Sequence, residues 1–340
     1  MRLEGPKKWL NPSKSPVNKL FFLYIGAHTL CYPKAMAQGI SDMIANGSRL
    51  KRIKMVTLGA PNLDDVESWY TAWLDYAVVE RGSVSKKLSE SWGLTASAGC
   101  RFITLCPGSG EDVHIRAVEI DPVPDFKTLT TWGWAAVEIT VADVDDVLKK
   151  LEGSPFKVLG LPRELTPESP IRAMQVLGPA DEVIYLTGNV GDRASSNHPD
   201  PKTMIDRVFI MVLAGPDRGA LKKFYLETFS LSDQGDYAFP VKVLSDAQGR
   251  PSDHKFDLSV LVASERGNKL ELDQYDAPTG ARPGPENQLS PGVAMTTFEA
   301  DSLDDLSVDF ITAPSALYEG YLSATFIGPA GERTELVAKA

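Results

Sequence analysis

Hydrophobic and polar positions along this chain recur in one order. A segment of period-2 alternation comes first, then a stripe of period 3.6, then further alternating segments that close after a tight turn. The order occurs four times. In the first copy, RIKMVTLGAPNLDDVESWYTAWLDY, Val56 and Leu58 alternate and Asn62 opens a helix. Val66, Trp69, Tyr70 and Trp73 then fall at i, i+3, i+4 and i+7 on one apolar face. The third copy, DRVFIMVLAGPDRGALKKFYLETFSL, has Phe224 and Tyr225 where the first has Trp69 and Tyr70. The second and fourth, GWAAVEITVADVDDVLKKLEG and GVAMTTFEADSLDDLSVDF, place Asp145-Asp146 and Asp304-Asp305 in a first helical turn, where free backbone amides favour acids. The copies close on GEDVHIRAVEI, ADEVIYLTG, RGNKLELDQY and GERTELVA.

Each copy therefore predicts a βαβββ module. One such module exposes an apolar sheet face and cannot stand alone; two side by side form an open, curved sheet with helices outside and a concavity within. The expected fold class is α+β, with four modules in two tandem pairs, each pair forming one cup. The polar, proline-containing VGDRASSNHPDPKT (190–203) reads as a linker. The expected organisation is an extension over 1–50, modules one and two over 51–190, a linker over 191–204, and modules three and four over 205–340.

Composition narrows the partners. At 340 residues, with 43% hydrophobic and 24% charged positions, the chain has room for about two domains with real cores. A formal net charge of −10 argues against nucleic acid or an anionic membrane surface, and the only short basic run is RLKRIK at 49–54. Cys31, Cys100 and Cys106 are too few and scattered for a disulfide framework or a CxxC zinc site, which fits a cytoplasmic setting. KLFFLYIGAHTLCYPKAMA (19–37) weakly resembles a secretory signal, but His28 interrupts its apolar stretch and the lead is long, so an N-terminal extension is the better reading. No apolar run reaches the ~18 residues of a membrane span. No GxSxG elbow, P-loop, Rossmann GxGxxG or HExxH motif occurs.

From MVTLGAPNLDDVESWYTAWLDY to GPAGERTELV, roughly residues 53–338, the chain resembles the vicinal oxygen chelate superfamily. That group includes glyoxalase I, extradiol dioxygenases and bleomycin-resistance binding proteins. The resemblance implies a divalent metal held by His or Gln on a module's first strand and Glu on its last. The last-strand positions carry over as His114, Tyr185, Glu271 and Glu335; the gapless pair GPADEVIYLTGN and GPAGERTELVAKA differs where Tyr185 stands against Glu335. The first-strand positions carry over as Met55, Ala136, Ile210 and Met295, none of which suits an Mg, Mn or Fe(II) site. No cofactor is therefore expected. A divalent metal (Fe, Mn or Zn) remains as an alternative, with Glu335, Glu271 and His114 as ligands, Asp206 joining the two glutamates, or His114 with Glu138.

Glu138 lies two residues beyond Ala136, on the same strand face, within the apolar WGWAAVEITV, where a carboxyl suits general acid or base work. The expected catalytic set is Glu138, His114 and Tyr185 in the first cup, and Glu271 and Glu335 in the second, with His254 and Asp257 on a neighbouring strand. Trp132 and Trp134 are candidates for an aromatic lining, and GARPGPENQLSPG (280–292) for a loop over the second cup. His198 falls in the linker and carries no expected role. Three functions stay open: a proton-transferring isomerase or lyase acting on a carbonyl-containing or aromatic metabolite, a metal-dependent dioxygenase or glyoxalase-like enzyme, and a small-molecule binding protein. Expected partners are a small molecule and a second copy of the chain in a homodimer.

Overall fold

In the computed structural model, which describes residues 47–166, 169–193 and 197–340, the modules start where their capping residues stand. Asn62 accepts from the amides of Asp64 and Asp65, Asp143 from Asp145 and Asp146, and Asp217 from Ala220, each from extended backbone just before a helix. The signal-like stretch 19–37, with His28 and Cys31, lies outside the described residues.

Module one runs β1 (Leu50–Ala60), α1 (Leu63–Trp73), β2 (Tyr76–Ser83), α2 (Lys86–Ser91), β3 (Arg101–Pro107) and β4 (His114–Glu119). Module two runs β5 (Gly133–Val141), α3 (Val144–Lys150), β6 (Lys157–Glu164), β7 (Ile171–Leu177) and β8 (Val183–Asn189). Module three has β9 (Ile205–Gly215), α4 (Arg218–Phe229), β10 (Ser232–Pro240), α5 (Lys242–Gln248), β11 (Lys255–Val262) and β12 (Lys269–Gln274). Module four has β13 (Gly292–Ala300), β14 (Ser315–Tyr318), β15 (Tyr321–Ile327) and β16 (Arg333–Lys339). The helix expected in module four does not form. Ser302 still accepts from the amide of Asp304, but only Leu303 and Leu306 anchor the segment before the chain turns, too short a stripe to hold a helix.

The α+β class, the four modules and the two curved sheets stand as expected; the composition of the sheets does not. Within each module the last strand pairs in parallel with the first, and the first strands then pair antiparallel, β1 with β13 and β5 with β9. One eight-stranded sheet therefore joins modules one and four, the other modules two and three. We call their concavities the outer and the inner cup. The sheets do not follow the halves 51–190 and 205–340. All four first strands are buried on both faces over most of their length, as central strands are, so the repeat reveals four like units without saying which pair.

The faces opposite the cups pack with α1, α3 and α4 into one core that includes Val56, Leu58, Val137, Ile139, Met211 and Phe298. The duplicated hairpin belongs to this packing. Glu182 accepts from the Ala180 amide and the Tyr70 hydroxyl, each at 2.8 Å; Glu332 accepts from the Ala330 amide at 2.8 Å and the Tyr225 hydroxyl at 2.9 Å. The helix of one module is thus tied to the closing hairpin of the next. A Cβ at Gly178 or Gly328 would sit 2.0 or 1.9 Å from these carboxylates, so a side chain at either position would displace the glutamate from its hydrogen bonds. Burial pushes both carboxyls up to about 7.

Candidate functional site

Counting five residues back from the capping Asn62, Asp143 and Asp217 gives Thr57, Glu138 and Val212, and Thr297 stands likewise before Ser302. Each pairs in parallel with a last-strand residue: Thr57 with Arg116, Glu138 with Tyr185, Val212 with Glu271, Thr297 with Glu335. Arg116 is therefore the module-one counterpart of the other three, two residues beyond His114. Gly110 stands four residues before His114 as Gly331 stands before Glu335, so a count from glycine points to His114, whereas the β4 register sets Arg116 opposite Thr57. His114 itself opens β4 half-buried, its Nδ1 3.6 Å from Asp112, and burial lowers its pKa.

The expected catalytic set divides differently between the cups. His114 lies in the sheet of the outer cup and Glu138 with Tyr185 in that of the inner; Glu271 joins the inner and Glu335 the outer. The ligand sets drawn from sequence come apart for the same reason. His114 and Glu138 belong to different sheets, as do Glu271 and Glu335, and Asp206 is engaged by the Lys202 amide at 2.6 Å and by the Ser109 hydroxyl.

In the outer cup Glu335 is fully buried and fully partnered. Its carboxylate accepts from Trp92 Nε1 at 3.2 Å, Thr297 at 2.7 Å, Tyr318 at 3.0 Å and Ser323 at 3.3 Å, and Arg116 Nη2 stands 3.8 Å away. Burial works against the Arg116 charge, yet Tyr318 and Glu335 hold its pKa above the usual guanidinium range. Trp92, delivered by α2, is likewise fully buried. Its ring lies 4.8 Å from the Arg116 guanidinium, and Arg333 donates to its carbonyl. Val84, Leu88, Leu94, Met295 and Leu289 of the 280–292 loop complete the filling. That loop therefore seals the outer cup, while its Arg282 donates to the carbonyls of Trp134 and Val293.

The inner cup is built on the same plan and furnished differently. Here α5 supplies Val243 and Leu244, which pack with Ala136, Val183, Phe256 and Tyr275, and Trp132 leans on the cluster. Trp134 instead enters the central core, donating to the Arg333 carbonyl. Among the apolar groups stand three carboxyls. Glu138, 7% exposed, accepts from the Thr187 hydroxyl at 3.0 Å, and burial raises its pKa to about 7. Asp273, 4% exposed, is raised to about 7 by burial and then by the charge of Glu138. Glu271 is raised well above the usual range by burial, then by Asp273 and Glu138. Burial also raises the Tyr185 phenol and lowers the Lys269 amine. Among the described residues Asp273 Oδ1 and the Tyr275 hydroxyl are buried without a hydrogen-bond partner. Buried polar groups left unpaired are uncommon and mark a place where another molecule can supply the bond.

Sequence reasoning missed Asp273, Tyr275 and Lys269, although all three share the strand face of Glu271 at period 2. It also missed His198. The linker turns that imidazole inward, 3.1 Å from the Thr140 hydroxyl, and burial with nearby cations lowers its pKa to about 3. His254 and Asp257 sit at the start of β11, with Asp257 exposed and on the opposite strand face from Phe256.

The family's metal does not fit these residues. Its positions hold Met55, Met295, Arg116 and Glu335 in the outer cup, where a guanidinium faces the one carboxylate, and Ala136, Ile210, Tyr185 and Glu271 in the inner. Among the described residues no group of three or more His, Cys, Asp or Glu side chains is arranged to hold a metal ion. No described helix is long and apolar enough to cross a membrane.

No protein-family model matches the chain, and no curated protein matches it in sequence. Solved structures do match. Glyoxalase I from Zea mays is 15% identical over 87% of this chain and 95% of its own, with a TM-score of 0.57. A point mutant of that enzyme matches with a TM-score of 0.59 at 15% identity, over 88% of this chain and 96% of its own. A putative dioxygenase from Bacillus subtilis subsp. subtilis str. 168 is 10% identical over 86% of each chain, with a TM-score of 0.59. Together with the four modules and two curled sheets, these matches show that the chain has the vicinal oxygen chelate fold.

Proposed function

We propose that the protein is a small-molecule enzyme of isomerase or lyase type, which moves a proton at a carbon beside a carbonyl, and that it works in the inner cup. The fold does not choose this chemistry, because one fold hosts many. The observation that supports the reading is Glu138: a buried carboxyl on a strand in the sheet's centre, oriented by Thr187, with its pKa raised to about 7. A group so poised is near half-ionised at neutral pH and can both take and return a proton, a contribution of about 10²–10⁴-fold in rate.

Glu138 in its carboxylate form takes the proton from carbon. The negative charge that develops on the carbonyl oxygen meets hydrogen-bond donors that burial keeps protonated, namely the Glu271 carboxyl and the Tyr185 and Tyr275 hydroxyls. Asp273, with a pKa also about 7, can supply a proton at the alternative carbon. Glu335, weighed as a base from sequence, is taken up by its four hydrogen-bond donors and Arg116.

The test is hydrogen exchange at carbon. A panel of small aldehydes and ketones is incubated with the protein in D₂O and followed by proton NMR. Exchange accelerated by the wild type and reduced at least about 100-fold by Glu138→Gln is expected. A Glu138→Gln protein that exchanges at the wild-type rate removes the assigned base. A second reading, a binding protein, is favoured by the apolar wall of Trp132, Phe256, Val243 and Tyr275; it predicts a ligand that binds and shows no exchange.

A further inference from the structure

Among the cup-facing positions of β5, β8, β9 and β12, which include Glu138, Tyr185, Glu271 and Asp273, one is an amine, Lys269. The orientation of Lys269 follows from its counterparts in the repeat. Val183, at the same register in module two, packs in the inner cup, and Arg333, in module four, donates into the outer cup at the Trp92 carbonyl. Lys269 is partly buried, yet among the described residues it has neither a hydrogen-bond nor an ion-pair partner. This is unusual for a chain whose other partly buried lysines, Lys51, Lys54, Lys150 and Lys222, all hold carboxylates within 3.1 Å. The charges that act on it are those of Glu138, across β9 at the Ile210 register, and Glu271, two residues on along its own strand.

An unpaired amine beside two acid–base groups on the sheet of an apolar cup is the arrangement a carbonyl-condensing lysine requires. We propose that Lys269 is the covalent anchor of the inner cup, condensing with the aldehyde or ketone group of the substrate to form an imine. This deepens the carbonyl reading of the cup and rests on it. Nζ in its neutral form attacks the carbonyl carbon, and the carbonyl's π pair passes to oxygen, which takes a proton from the Glu271 carboxyl. The nitrogen loses a proton to the carboxylate so formed. A second protonation of the hydroxyl expels water, and the nitrogen lone pair closes the C=N⁺ bond. The iminium then draws electrons from the adjacent carbon, whose proton Glu138 removes. Loss of that proton leaves an enamine, which takes a proton back at the alternative carbon from Asp273 or at the same carbon from Glu138 and so regenerates C=N⁺. Water added across it restores the amine and releases product, so no oxidant or reductant enters.

Reductive trapping tests this. The full chain is incubated with sodium cyanoborohydride and, separately, pyruvate, dihydroxyacetone or phenylacetaldehyde, probes that are anionic, neutral polar and apolar. Alkylation at each lysine is read by peptide mass spectrometry. Lys269 is expected to be labelled at least about tenfold faster than the exposed Lys223 and Lys242 with one probe or more, as an activated amine should be. Labelling that follows exposure alone, with no enrichment at Lys269 for any probe, overturns the proposal. Lys269→Arg and Lys269→Met are both expected to lose carbon exchange in D₂O. Exchange retained in a folded Lys269 variant also overturns the proposal while leaving Glu138 in place. Enriched trapping without exchange supports Lys269 and removes the proton-transfer reading instead.

Discussion

The outer and inner cups are the same module pair built twice, with the same strand register, and a glutamate occupies the same position in each. Glu335 in the outer cup meets four hydrogen-bond donors and an arginine; Glu271 in the inner cup meets two more carboxyls and an unpaired lysine. Residue type and position are equal, so the neighbours decide the role. Trp92, Tyr318 and Arg116 turn one cup into a closed polar joint. The other cup keeps buried acids that titrate near neutrality, together with unpaired acceptors and donors.

The sharpest way to break this comparison is to remove one side of the outer pair. Glu335→Ala or Arg116→Met strands a buried charge and is expected to cost about 3–5 kcal/mol in denaturant unfolding. A loss below about 1 kcal/mol for both would mean the outer cup is not a structural joint.

The pH dependence of stability comes next in size. Glu138, Asp273, Glu182 and Glu332 all have folded pKa values raised to about 7 from an ordinary carboxyl range. Between those limits the folded chain holds more protons than the unfolded one, so their stabilisation is present at low pH and is lost as pH rises through 7. His198 acts in the opposite sense below its ordinary pKa, because it is held neutral down to about 3. Unfolding free energy should therefore fall between about pH 5 and 7 and level off above it, each carboxyl contributing up to about 1.4 kcal/mol per pH unit. Glu182→Gln with Glu332→Gln should flatten the slope; a slope unchanged in that double variant contradicts the assignment.

Smaller again is the tie between helix and hairpin. Tyr70→Phe and Tyr225→Phe should each cost about 1–2 kcal/mol, and their effects should add because the two ties lie in separate places. The least effect is expected from Glu271→Gln, within about 1 kcal/mol of wild type at pH 7, since burial already keeps that carboxyl protonated. The two glutamates would then differ several-fold in structural cost.

Most of the architecture was legible because it is written four times in periods that physics reads directly. The caps at Asn62, Asp143 and Asp217 and the stripe at Val66 and Tyr70 announce their elements. Strand partnership was not legible. β5 and β13 are buried throughout, and nothing in such a run says which neighbour it meets. Glu138, Tyr185 and Glu271 were visible as inward positions, and Asp273 and Tyr275 would have followed from the same alternation. Arg116 was lost to a two-residue slip in the loop before β4. Trp92 follows α2, Tyr318 ends β14 and His198 sits in the linker, and no period marks any of these positions as cup-facing.

The central claim is that the inner cup, and not the outer, holds acids poised for proton transfer. Carbon-13 NMR titration of the side-chain carboxyls tests it most directly, with Glu138→Gln and Asp273→Asn used for assignment. The account predicts that the inner cup's acids titrate together, with at least two apparent pKa values near 7, and that removing Glu138 lowers the value of Asp273. Inner-cup carboxyls that all titrate below pH 5 would contradict it.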